Sequence, residues 1–326
     1  MIISKVSNYI NKLNNKKISL IFVLIFIIIF IIIILFVLTF IIKIKLNNDN
    51  FIDNKKYYFS IGCLFKNESH GLYEFIEHHL YHGIDHIYLI NDNSDDNFMK
   101  ILNPYIANGQ VTLFHNDIDS TVTYRQPLIY NKYLKDILNN TTWLGIIDLD
   151  EYLYSPKDIN IKNILKKYET DYDNIKVEWI TFGSNNHDLQ PLSIVEGFNK
   201  HCNLKNIEEN TKTEVYNYKS IMKADKILNF HVHYSDLSSN KTINLSYTTN
   251  NNELYINHYK FQSKDFYTKI KATRGDSNNY RTISDRNLEE FNELNKIVNV
   301  IEDNKLIKQN KDIIKKVKDY KNTINK

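Results

Sequence analysis

The sequence predicts an α/β fold, a Rossmann-type mixed sheet with helices on both faces, preceded by one transmembrane helix. Three observations predict it. The run from Leu20 to Ile42 is apolar at every position except Thr39. From Tyr57 onward, period-two and period-3.6 apolar patterns alternate, the mark of a mostly parallel, helix-covered sheet. Polar clusters close several of the predicted strands, where an open sheet of this kind binds ligands.

Residues 1–19 form a short N-terminal tail, and residues 20–42 are long enough for a bilayer core of about 30 Å, which needs roughly 20 apolar residues. No small-residue cleavage site follows the run, which closes on Lys43 and Lys45, so it reads as an uncleaved anchor in the lipid bilayer. Lysines flank it almost evenly, and the short tail with its α-amino group is expected on the cytoplasmic side. Residues 43–56 are a polar stem, and the domain proper is expected over 57–280. Strands are predicted at Tyr57–Leu64, His86–Ile90, Val111–Phe114, Trp143–Ile147 and Ile175–Ile180. Helices are predicted at Leu72–Tyr81, Phe98–Tyr105 and Leu128–Leu138, and from Asp158 to Tyr168. Short strand-like runs between Asn199 and Asn257 read as an appended mixed or antiparallel portion of the same domain. Residues 281–326 carry a packed helix from Asn287 and then a Lys-rich, frayed tail.

The chain has 326 residues and a formal charge of +3, too near neutral for a dedicated nucleic-acid binder. Its cysteines, Cys63 and Cys202, are too few for a disulfide scaffold and form no zinc-type pair. Ile, Asn and Lys are so abundant that single Lys or Asn motifs, including the sequons at Asn139, Asn140, Asn240 and Asn244, decide nothing.

Polar clusters follow the predicted strands at Lys66-Asn67-Glu68, at Asn91-Asp92-Asn93-Ser94-Asp95-Asp96 and at Asp148-Leu149-Asp150-Glu151. Any one could be an ordinary polar loop, but their common register points to a site. In an extended segment Asp148 and Asp150 face the same side, and their mutual repulsion calls for a cation between them. Oxygen ligands suit Mn²⁺ or Mg²⁺, which complete their shells with phosphate oxygens. His231 and His233 alternate on one strand, and His258 closes another; such histidines are more often packing residues than ligands. Lys260, Lys269 and Arg274 follow as a basic run suited to diphosphate, or simply a solvated face.

In order along the chain, Lys66-Asn67-Glu68, Glu74 to His79, Gly83 to Tyr88, Asn91 to Ser94, Asp148 to Glu151, Trp179 with Phe182-Gly183-Ser184, His187, Lys219-Ser220-Ile221, Val232-His233-Tyr234, and His258-Tyr259-Lys260 through Arg274-Gly275 resemble glycosyltransferase family 92. The chain departs from that pattern at Glu77 and at Asn185-Asn186. The resemblance implies a GT-A fold, a single-pass type II anchor with a Golgi or other endomembrane lumenal domain, and inverting sugar transfer. Galactose from UDP-galactose to a glycan or glycoprotein is its best-known case, with Mn²⁺ at the Asp-x-Asp. On that basis Asp148, Asp150 and His258 are the expected metal ligands. Lys66, Asn67, Glu68, Asp92, Ser94, Arg125, Asp148, Lys260 and Arg274 are expected around the nucleotide sugar. Inversion needs a base to deprotonate the acceptor hydroxyl, and Asp188 is the candidate, with His187 and Glu151 as alternatives. The competing reading is a membrane-tethered domain of the same fold that binds glycan or nucleotide without catalysis.

Overall fold

A computed structural model describes residues 28–40, 55–203, 216–245, 253–273 and 286–324. The chain divides into two units, Met1–Asn54 and Lys55–Lys326. In the first, residues 28–40 are an α-helix (α1) whose large apolar side chains are all exposed. Its described length is about 20 Å at 1.5 Å per residue. No helix among the described residues is long and apolar enough to cross a membrane. The ends of the expected span, 20–27 and 41–42, lie outside the described residues, as do 43–54 of the expected stem.

The second unit is a mixed α/β fold built on a nine-stranded sheet. Its first half follows the predicted alternation: β1 (Tyr57–Phe65), α2 (Ser69–Tyr81), β2 (His86–Asn91), α3 (Phe98–Ala107), β3 (Val111–His115), α4 (Arg125–Tyr133) and β4 (Thr141–Ile146). β1 lies parallel between β2 and β4, and β3 runs parallel beyond β2, so the carboxyl ends of these strands share one edge. α2 forms because Leu72, Phe75, Ile76 and His79 recur at helical spacing, and all four are buried against the sheet. It stops at Gly83, whose φ of +94° is the left-handed conformation that ends many helices; a Cβ there would run into the side chain of Asn160.

The second half departs from expectation. β5 (Glu151–Tyr154), α5 (Ile161–Tyr168) and β6 (Asn174–Thr181) continue the chain, followed by the short α6 (Ile194–Gly197) and β7 (Lys200–His201). β8 (Tyr216–Lys223) is not appended to the sheet: it inserts into its centre, antiparallel to both β4 and β6. β9 (Ile227–Phe230) and β10 (Ser235–Leu237) make a separate hairpin. β11 (Thr242–Leu245) and β12 (Tyr255–His258) then pair with successive parts of β6, and β12 also pairs antiparallel with β5. The full order is β3-β2-β1-β4-β8-β6-β12-β5, with β11 beside β6.

The C-terminal segment is not frayed. α7 (Leu288–Val298), β13 (Ile301–Glu302), α8 (Lys305–Gln309) and α9 (Lys311–Ile324) all pack on the domain. α9 buries Ile313, Ile314 and Val317, Tyr320 stacks on Tyr73 of α2 at 3.9 Å, and Lys316 reaches Glu77 at 2.6 Å. Lysines colour its outer face, while its apolar residues keep a helical stripe.

Candidate functional site

The carboxyl ends of β1, β2 and β4 bring most of the expected residues to one edge, in two groups. The first lies after β4. There the backbone turns sharply instead of remaining extended: the Glu151 N–H donates to the Asp148 carbonyl at 2.9 Å, and the Asp148 N–H donates to the Glu151 carboxylate at 2.9 Å. The strand alternation expected to pair the aspartates is therefore absent, and each meets its own lysine. Lys219 Nζ, fully buried on β8, lies 2.7 Å from Asp148 and 3.4 Å from Glu151. Lys271 Nζ, on the helical turn Lys264–Lys271, lies 2.5 Å from Asp150 Oδ2. His258 Nε2 lies 3.4 Å from the other oxygen of Asp150, because β12 pairs with β5 in a register that places His258 opposite Glu151. Trp179 of β6 packs against His258 and His233, with ring centroids 5.1 and 5.3 Å away.

Burial works to raise the Asp150 carboxyl, but Lys271 and His258 outweigh it and hold it well below the usual carboxylate range. Lys219 resists burial because Asp148 and Glu151 raise its pKa. Glu151 is itself pushed well up by burial, with the two aspartates adding to the rise and Lys219 opposing it. Glu151 Oε2 accepts from the Asp148 N–H and lies 3.4 Å from Lys219, which ties this carboxyl to the turn. Burial lowers His258 against the opposing pull of Asp150, and burial with Lys219 lowers His233 to about 4; both shifts favour the neutral imidazole that a metal ligand requires. The Cys63 thiol, at the carboxyl half of β1, is pushed up by burial and by Asp148, Glu68, Asp150 and Glu151, and Glu68 is itself buried. Lys260 also acts on His258 electrostatically. Both cysteines are free and buried.

Could this group hold a divalent cation? No three His, Cys, Asp or Glu side chains among the described residues converge as a metal cage. Asp148, committed to Lys219, does not join Asp150 and His258 as the third ligand. Asp150 Oδ1 and His258 Nε2, however, are spaced at 3.4 Å, close to the separation of about 3 Å between adjacent ligands of an octahedral ion. The buried Nδ1 atoms of His258 and His233 have no hydrogen-bond partner among the described residues. Mg²⁺-type ions are commonly held by one or two protein ligands plus substrate phosphates, and the donor set fits that arrangement.

The second group lies after β1 and β2. Asp92 forms a buried two-pronged pair with Arg125, at 2.7 and 2.6 Å, and accepts from Asn116 at 2.8 Å. Burial would raise Asp92, but these bonds, with Lys66 nearby, hold it below its ordinary value. Arg125 thus spends its guanidinium on Asp92 rather than on a phosphate. Ser94 Oγ accepts from the Asn67 N–H at 3.0 Å, and Asn67 Oδ1 accepts from the Asp95 N–H at 2.9 Å, which stitches the two loops into one surface. Arg125→Lys keeps the charge but loses the fork, and should cost about 1–3 kcal/mol of stability. A lowered melting temperature with unchanged UDP affinity is expected; the reverse pattern would return Arg125 to the phosphate.

His187 and Asp188 lie elsewhere. Both are exposed and line an open groove of about 690 Å³ with Lys264, Phe291, Asn292 and Lys296. That groove does not include Asp148, Asp150 or His258. The divergent Asn185 and Asn186 have φ of 50° and 61°, a bend that Asn tolerates, and the Asn185 N–H donates to Asn299, which caps the C-terminus of α7, at 2.9 Å. Arg274 lies outside the described residues. Sequence reasoning missed Lys219 and Lys271 as partners of the aspartates. Lys219 stands in mid-strand within the Lys219-Ser220-Ile221 match and Lys271 on a helical turn, and in a Lys-rich chain neither position says which carboxylate it meets.

The profile of glycosyltransferase family 92 matches residues 55–312. No curated protein matches the sequence. Among solved structures, S. aureus TarS 1–349 is similar at 14% identity and a TM-score of 0.35, over 65% of this chain and 62% of that one. Its complex with UDP gives 14% identity and a TM-score of 0.37 over the same shares. Its complex with UDP-GlcNAc gives 14% and 0.37, over 62% of this chain and 59% of that one. The chain therefore spans about three fifths of the length of these structures. With more than two thirds of its length matched by the family profile, this chain belongs to glycosyltransferase family 92.

Proposed function

We propose that the chain transfers a hexose, galactose first among candidates, from a UDP-sugar to a glycan or glycoprotein hydroxyl with inversion, on a GT-A fold. The observation that carries this is the Asp150–His258 pair, ringed by Asp148, His233 and two lysines, on the ligand-binding edge of the sheet. Asp150 and His258 would hold Mn²⁺ or Mg²⁺, which supplies charge neutralisation at the leaving diphosphate when bound. Lys271 and Lys260 add positive charge on the same side. Lys66 and the joined loops at Asn67 and Ser94 are suited to the nucleoside end. Asp188 or His187 would take the acceptor proton, which requires the groove to open toward the sugar. Residues 20–42 would anchor the chain as a single-pass type II protein with its domain in a Golgi or related lumen.

Titrating the full-length protein with Mn²⁺ in the presence of UDP by calorimetry tests the metal assignment. His258→Ala should weaken metal and UDP binding together, with partial rescue by excess metal. If the folded variant binds metal as tightly as the parent, His258 leaves the site and His233 takes its place as candidate ligand. The pairing of both aspartates with lysines favours a second reading, in which Lys219 and Lys271 supply the positive charge themselves. Turnover of a UDP-sugar that survives exhaustive chelation would select it.

A further inference from the structure

We propose that Tyr124, His231 and Tyr234 form an aromatic ledge at the rim of the site that receives a pyranose ring of the acceptor glycan; this rests on the reading of the chain as a UDP-sugar-dependent transferase. The rings of His231 and Tyr234 are stacked, with centroids 4.5 Å apart and planes 21° from parallel. Tyr124 Oη lies 3.4 Å from His231 Nδ1 and joins the third ring to the pair. Tyr124 and Tyr234 are 40% and 47% exposed, so this aromatic surface stays in water. A bulky residue rarely adopts φ > 0, yet Tyr124 has φ 55° and ψ 36° at the start of α4. Burial of its ring does not repay that strain, and such strain gathers where a side chain is presented to a ligand.

The ledge is held in place from both sides. Asn131 of α4 donates to the Phe230 carbonyl at 2.9 Å and accepts from the Phe230 N–H at 3.1 Å, tying the β9–β10 hairpin to the helix that follows Tyr124. The His231 N–H donates to the Tyr234 carbonyl at 2.9 Å and closes the turn that stacks the two rings. The ledge is also bracketed by both groups of the site. Arg125, next to Tyr124, binds Asp92, while His233, between His231 and Tyr234, packs against Trp179.

The occupant follows from the chemistry. A pyranose offers an apolar C–H face that lies flat on aromatic rings and hydroxyls that bond to nearby polar groups. Asp236, half-exposed and 3.2 Å from His231 Nε2, is such a group. A nucleobase could also stack, but donor nucleotides are usually engulfed in a pocket, whereas this surface is open. A glycan that reaches the site from solvent matches that exposure.

The test is saturation-transfer NMR on the full-length protein in detergent, with N-acetyllactosamine, methyl β-D-galactopyranoside and methyl α-D-mannopyranoside as probes and UDP titrated separately. Tyr234→Ala should weaken glycan binding about tenfold or more, leave UDP affinity unchanged, and be rescued by Tyr234→Phe. Glycan binding at parental strength in Tyr234→Ala, or no binding of any probe to the parent, would overturn the ledge. So would a loss of UDP affinity in Tyr234→Ala, which would assign the surface to the nucleobase. A parent that binds glycan but not UDP would instead strike at the donor reading, because the glycan arm is scored on its own.

Discussion

Asp150→Asn is expected to lower UDP-sugar turnover by three or more decades. The substitution keeps the shape of the side chain and removes the one buried carboxylate that both His258 and Lys271 address. Stabilisation of charge at the leaving group is worth several kcal/mol of barrier, and each 1.4 kcal/mol is about tenfold in rate. Lys271 is left without its anion, so melting should also drop by a few degrees; rates are best compared well below that transition, with circular dichroism to show that the variant is folded. Turnover within tenfold of the parent would remove Asp150 from the chemistry.

Lys219→Met should produce the largest loss of stability. The ammonium is fully buried among Asp148, Glu151 and the Trp179 ring, and its removal strands a negative charge beneath the sheet edge. The Asp148 side chain is 31% exposed, so breaking the pair from one side costs less than for a fully buried one, roughly 2–3 kcal/mol, which in a domain of this size lowers the melting temperature by roughly 5–10 °C. Adding Asp148→Asn to Lys219→Met should recover most of that loss, since the stranded charge disappears with it. A melt unchanged by Lys219→Met, accompanied by lost turnover, would show that the lysine serves the reaction rather than the fold.

How far the sequence foretold this molecule depends on how local each signal was. β1, α2, β2, α3 and β3 appear within a few residues of their expected ends, because each is written in its own apolar period. β8 was read as peripheral, yet it occupies the middle of the sheet; its pairing with β4 and β6 depends on residues far away in sequence, which no short window contains. The lysines of α9 masked the stripe formed by Ile313, Ile314, Val317 and Tyr320. At the site, Asp150 and His258 were legible as a motif and a strand end, and the structure does place them together. The turn after β4 was not legible, nor was the engagement of Asp148 by Lys219 or of Arg125 by Asp92. Each of these is a tertiary choice between chemically plausible partners, and charge type alone cannot make it.

The last helices also bear on how the chain matures. Asn310 donates to His78 and bonds His82, each at 2.8 Å, and thereby closes a buried face of α2 some 230 positions earlier in the chain. α9 then lies along the same helix. While the ribosome is still adding the middle of the domain, α2 can dock on the sheet but its imidazoles have no lid. Such distant closure slows assembly and leaves a nascent chain exposed. Completion of α2 therefore waits for residues synthesised some 230 positions after it, and a chain cut before Asn310 would leave its first domain helix without its lid.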